Sequence, residues 1–258
     1  MDGFVVALTT AGVPLLPNAI RLAAREADLA GAAQGNRVRF EPGLIQADGL
    51  SVYWDAEQPP LWEPRLSRPY PGDRLKVLAR AQALGELASA IDLELLAAEP
   101  SAQAAAGFWQ AIAAEHGTAA AQAARELIGR GPGLTPEGDD LVAGTVATFL
   151  AWAPAFGRGM PPLWLSQLLS VDLRRRTTAI SATLLELALD GCVAEPLTTV
   201  LDVGSTDDRW RGAWAQLLRL GHSTGRALAL AAARTGIALC VRLAPEYGAL
   251  DEATVAGA

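Results

Sequence analysis

The segment that most limits what this chain can fold into is Gly129-Arg-Gly-Pro-Gly-Leu-Thr-Pro-Glu-Gly-Asp-Asp140, together with the residues behind it. Gly129, Gly131, Pro132 and Gly133 suit neither a regular helix nor a strand, so the stretch reads as a loop. A helix then starts abruptly: Thr135 suits an N-cap and Pro136 the first helical position, where a missing N–H costs nothing. From Leu141 to Trp152 nearly every side of that helix is apolar. A helix without a polar face is surrounded by other elements. The chain must therefore carry a Gly-rich loop and two acids, Asp139 and Asp140, towards the middle of the molecule.

What surrounds this helix differs along the chain. Phe4–Leu8, Arg37–Phe40, Leu44–Ala47 and Leu50–Trp54 read as short strands, and Asp48-Gly49 is a strong hairpin signal. Between the first two strands a helix is expected from Asn18 to about Ala32. Prolines 59, 60, 64, 69 and 71 mark an extended crossing. Beyond Asp73 the signals are helical: one long run ending before Pro100, a helix capped by Ser101, and one from Thr118 to Arg130. After the central helix come Pro162–Leu173, Thr177–Asp190, Asp207–Leu220 and Ser223–Ile237, with Val200–Val203 ambiguous. The expected class is α+β: a small N-terminal β-rich subdomain over residues 1–72, a mainly α-helical bundle domain over 73–244, and a flexible tail over 245–258.

Charge and cysteine usage narrow the function. The net charge of −7 gives no footprint for nucleic acid. Cys192 and Cys240 lack metal-ligand spacing and read as buried apolar residues. The start Met1-Asp-Gly-Phe4 lacks the basic residues of a signal peptide, and the apolar runs look too short or too interrupted to cross a membrane. The expectation is a cytoplasmic protein with no nucleic-acid or membrane partner.

Three constellations could carry chemistry. The first is the loop itself, Gly131, Gly133, Leu134 and Thr135, whose backbone N–H groups before a helix could hold a small anion. It is neither a Walker loop nor a dinucleotide fingerprint. Gly138, costing about 1 kcal/mol against Ala in a helix, signals the close approach of something. Asp139 and Asp140 are adjacent and so cannot share one direction. Either could simply oppose the helix dipole, anchor a ligand, act as a general base or bind Mg²⁺.

The second is Arg174-Arg-Arg-Thr-Thr-Ala-Ile-Ser181, in which Thr177 and Ser181 would share a helix face with Arg176 at its mouth. The third is Gly221-His-Ser-Thr-Gly225, in which Ser223 could cap the next helix, beside His222 and Thr224. A Ser-His-Asp triad is disfavoured, because neighbouring Ser and His side chains rarely reach one another. His116 reads as a dipole partner at a helix C-terminus. If the three helix starts converge, they form a pocket of N–H donors and hydroxyls with acids nearby.

Those stretches, GRGPGLTPEGDDLVAG from Gly129, RTTAIS from Arg176 and GHSTG from Gly221, resemble a bacterial AllH-like family, also described as carboxylases. The resemblance spans roughly the C-terminal half. The family pattern carries serine where this chain has Glu137, and more often GHSSG in the last motif. The resemblance implies a subunit of an oxamate carbamoyltransferase, working with FdrA-like and other protein subunits. The implied reaction moves a carbamoyl group between oxalurate and phosphate, all small anions. On that reading the Gly131–Thr135 backbone holds a phosphate or carboxylate, Asp139 or Asp140 orients amide N–H groups, and His222 moves a proton. A non-catalytic scaffold or anion-sensing subunit is the alternative. Metal-dependent hydrolysis is the weaker third, and no cofactor beyond a possible Mg²⁺ is expected.

Overall fold

A computed structural model describes residues 5–23, 35, 37–55, 57, 62–67, 69, 71–157 and 163–243. The architecture is α+β, with two small sheets near the N-terminus and ten α-helices among the described residues.

Strands β1 (Ala7–Thr10) and β2 (Ala19–Leu22) pair in parallel, with Ala7 opposite Ala19. A helix does not start at Asn18; the described part of that stretch is β2. Asn18 is used differently: its side chain donates to Val5 O at 3.0 Å and its carbonyl accepts from Ala7 N at 2.9 Å, closing the crossing. The rest of the expected helix lies outside the described residues, as do Phe4, Pro59, Pro60, Pro162 and residues 245–258. Strands β3 (Arg39–Glu41), β4 (Leu44–Ala47) and β5 (Leu50–Tyr53) form an antiparallel sheet. The β4–β5 hairpin turns at Asp48-Gly49 as its sequence predicts, with Gly49 at φ +79°.

The helices are α1 (Arg74–Ala88), α2 (Glu94–Ala97), α3 (Glu99–Ala113), α4 (Gly117–Leu127), α5 (Glu137–Trp152), α6 (Leu163–Leu169), α7 (Ala179–Leu189), α8 (Glu195–Leu201), α9 (Asp207–Leu217) and α10 (Thr224–Leu243). The single run expected between Asp73 and Pro100 is broken after α1. Pro100 lies in the first turn of α3, where proline fits, so Ser101 is inside that helix and buried rather than its cap. His116 belongs to the start of α4: its carbonyl accepts from Ala120 N at 2.9 Å while its N–H closes onto Ala111 O at 2.8 Å. The ambiguous Val200–Val203 segment ends α8.

Helix α5 is the hub. All but one of its residues are buried, and it packs chiefly along α10. Gly144 allows that approach, since a Cβ there would stand 2.8 Å from Ala231 Cβ and 2.9 Å from Leu228 O. The two indole N–H groups carried into the core are matched: Trp109 Nε1 donates to Thr145 Oγ1 at 3.2 Å and Trp152 Nε1 to Leu201 O at 2.8 Å. Arg80 of α1 is buried against Trp210, its guanidinium 4.4 Å from the ring, and donates to the carbonyls of Val200, Asp202 and Ser205. Desolvation lowers its pKa to about 10.

Cys192 and Cys240 are buried and free, and burial pushes the Cys240 thiol up to about 12. By length and composition Thr224–Val241 is long and apolar enough to cross a membrane, contrary to the expectation from the sequence. In this fold 78% of that window is buried, so the same composition serves a core helix.

Candidate functional site

The first turn of α5 carries three acids, and the fold points each at a different neighbour. Glu137 Oε2 accepts from Leu95 N at the start of α2, at 2.8 Å. Asp139 Oδ1 accepts from Gly129 N at 2.7 Å, and its Oδ2 accepts a short bond from the Thr177 hydroxyl. Asp140 turns towards Thr224, whose hydroxyl acts to lower its pKa, while its Oδ2 has no hydrogen-bond partner. Successive residues advance about 100° around a helix, so adjacent acids necessarily diverge. Glu137 therefore bonds the backbone at α2 and is drawn away from the loop.

The loop geometry follows from close approaches. A Cβ on Gly138 would lie 2.1 Å from Leu127 O, and Gly138 N donates to Arg130 O at 2.9 Å. What approaches Gly138 is thus the end of α4, and its N–H is not free for a substrate. Gly129, at φ +81°, faces Arg176 O at 2.2 Å from its would-be Cβ. Pro136, rather than Thr135, occupies the N-cap position, and its carbonyl accepts from Asp139 N and Asp140 N. The helix-start donors at 138–140 are therefore spent on protein carbonyls. The stretch Gly131–Leu134, further out, is exposed.

The three segments singled out in the sequence do meet. Thr135 Oγ1 and Thr224 Oγ1 lie 2.8 Å apart, joining the start of α5 to the first residue of α10. Thr178 Oγ1 donates to Leu134 O at 2.5 Å and accepts from Ser181 N at 3.2 Å, so it caps α7 and ties the loop to it. Thr177 precedes the helix and bonds Asp139 instead of sharing a helical face with Ser181. Thr178 was not among the expected site residues, although a threonine directly before the apolar run Ala179-Ile180 has the character of an N-cap.

Other expected members lie at the margin. Ser181 is buried beside Asp139, and its hydroxyl has no partner of ordinary hydrogen-bond geometry. Ser223 is buried, its carbonyl accepting from Ala227 N at 2.9 Å, and Thr224 rather than Ser223 reaches α5. His222 is exposed; its carbonyl accepts from Arg226 at 3.3 Å. Arg176 is exposed and donates to Arg125 O at 3.0 Å, outside the acid cluster. Leu134 is 76% exposed on the loop.

Burial sets the charge state. Desolvation raises the Asp139 pKa, opposed by the bonds from Thr177 and Gly129 and by the neighbouring Ser181 hydroxyl. Asp140 is raised well above the usual carboxylate range, chiefly by desolvation. The Thr224 bond acts against this, while the charges of Asp139 and Glu137 add to it. Asp140 is thus biased to the neutral acid, able to donate a proton in a hydrogen bond. Asp139, with both oxygens engaged, is an anchor. Among the described residues no three of His, Cys, Asp and Glu are grouped to hold a metal ion.

Residues 127–239 match a family described as oxamate carbamoyltransferase subunit AllH; the match covers α5 to α9 and most of α10, somewhat less than half of the chain. No solved structure matches the chain.

Proposed function

This chain carries an AllH family region over residues 127–239, and on that premise we propose that it is a subunit of an oxamate carbamoyltransferase-type complex that binds a small anion at the Gly131–Thr135 loop. The supporting observation is the junction of Thr135 with Thr224 and of Thr178 with Leu134. Together these bonds hold an exposed, glycine-rich backbone over a buried acid. Backbone N–H groups in such a loop suit phosphate or carboxylate.

In this reading a phosphate oxygen attacks the ureido carbonyl carbon of oxalurate, the bond from that carbon to the oxamate nitrogen breaks, and that nitrogen gains a proton. The products are carbamoyl phosphate and oxamate. Protonated Asp140 donates to a substrate oxygen, Asp139 positions the loop through Gly129 and Thr177, and the exposed His222, two residues before Thr224, carries the proton. FdrA-like and other subunits complete the assembly, in the cytoplasm.

The test is carbamoyl phosphate formation from oxalurate by the chain reconstituted with its FdrA-like partners. Asp140→Asn and His222→Ala each lower kcat by about a hundredfold if they take part in proton transfer. Wild-type rates in both variants would remove those roles. The second reading, an anion-binding subunit without turnover, is favoured by the purely structural bonds of Asp139. It predicts unchanged rates in both variants alongside weakened phosphate binding in Thr135→Val.

A further inference from the structure

A cleft of about 510 Å³ opens on another part of the molecule, between the turn that follows β1 and the helices α8 and α9. One wall is the turn Thr10–Val13, closed by Val13 N donating to Thr10 O at 3.1 Å. That bond leaves the N–H of Gly12, at the crest, without a partner among the described residues. Nothing lies within 4 Å of where a side chain at Gly12 would project. The floor is Arg21, held by Val13 O at 2.9 Å and by Glu195 at 3.4 Å, so its charge is balanced. Glu195 is in turn fixed by Leu15 N at 3.4 Å.

The opposite wall carries Gln216 and Arg219. The Arg219 guanidinium is exposed and has neither a carboxylate nor a carbonyl partner among the described residues, including the last carbonyls of α9. Two arginines and one glutamate leave the cleft with one uncompensated positive charge in a chain of net charge −7. An unpaired guanidinium fork opposite a free turn N–H is the donor set that a planar or tetrahedral oxyanion takes. The volume is that of a small-molecule site.

We propose that this cleft is a second binding site, distinct from the α5 loop, for a small oxyanion bearing a carboxylate or a phosphate. The anion lies between the Arg219 fork and the Gly12 N–H, with the Gln216 amide beside it. The Arg21–Glu195 pair shapes the floor. The site is independent of the transferase reading, since none of its residues belongs to the α5 cluster.

Amide NMR of the ¹⁵N-labelled full chain tests it, with inorganic phosphate and oxalate titrated separately against sodium chloride at matched ionic strength. The expected result is a saturable shift of the Gly12 amide with at least one of the two anions. Phosphate alone, oxalate alone or both identifies the group recognised. Arg219→Gln weakens that response about tenfold, corresponding to loss of one charged hydrogen-bond partner. The Gly131 and Gly133 amides, which report the loop, respond as in the wild type. An unmoved Gly12 amide with both anions overturns the proposal. So does a shift that chloride reproduces, or one that Arg219→Gln leaves unchanged.

Discussion

Thr135 and Thr224 meet hydroxyl to hydroxyl at 2.8 Å, although 89 residues separate them in the chain. Through that contact the segment leading into α5 and the first residue of α10 are held together, and the Thr224 hydroxyl also acts on Asp140, lowering its pKa. The start of the central helix is therefore cross-linked to α10 by side chains that neither helix needs for its own formation.

The pair is separable by a double-mutant cycle. Thr135→Val and Thr224→Val are each expected to cost about 1 kcal/mol of unfolding free energy. The double variant should cost less than their sum, because the bond is lost only once. Urea unfolding of the four proteins measures this. Strict additivity would mean the two hydroxyls are not coupled.

Asp140 gives the protein a signed pH dependence. Its folded pKa stands well above the ordinary 3.8, because burial disfavours the anion and Asp139 and Glu137 add negative charge. Below 3.8 both folded and unfolded forms hold the proton and no penalty arises. As pH rises above 3.8 the unfolded chain ionises first, so stability falls until the folded pKa is passed. Asp140→Asn should flatten that decline, with its largest gain at neutral and higher pH. Asp139, also raised, leaves a shallower slope in the variant. Equal slopes in wild type and variant, by chemical denaturation across pH, would refute the assignment.

Two glycines of the loop region should fail for different reasons. Gly138→Ala places a Cβ 2.1 Å from the backbone oxygen of Leu127, which cannot move without shifting α4, so a loss of about 3 kcal/mol is expected. Gly133→Ala meets nothing within 4 Å but must hold φ +93°, a strain of about 1–2 kcal/mol confined to the exposed loop. Thermal unfolding should therefore separate the two, while phosphate binding to the loop should suffer mainly in Gly133→Ala. A Gly138→Ala protein as stable as wild type would show that the α4–α5 approach is looser than described.

Much of the local structure was readable along the chain. The Asp48-Gly49 hairpin, the sharp start near Pro136 and the buried character of Leu141–Trp152 follow from dihedral preference and periodicity, which neighbouring residues determine by themselves. Asn18 and Ser101 misled because cap-forming side chains have other uses. Asn18 closes a strand crossing and Ser101 enters a helix that Pro100 had already begun. The divergence of Asp139 and Asp140 was visible from helical geometry, and their partners were not.

Residue order along the chain already required a glycine-rich loop and two acids ahead of a helix enclosed on nearly every side, because glycine and proline break regular structure and an apolar helix must be covered. What those groups touch was set by long-range packing. Gly138 answers to Leu127, Asp139 to Gly129 and Thr177, and Asp140 to Thr224; Thr178, not Thr177, caps α7. Each of these choices depends on which distant backbone or hydroxyl arrives within hydrogen-bonding reach. That is fixed by how α4, α7 and α10 pack around α5, and chain-local propensity carries no record of it.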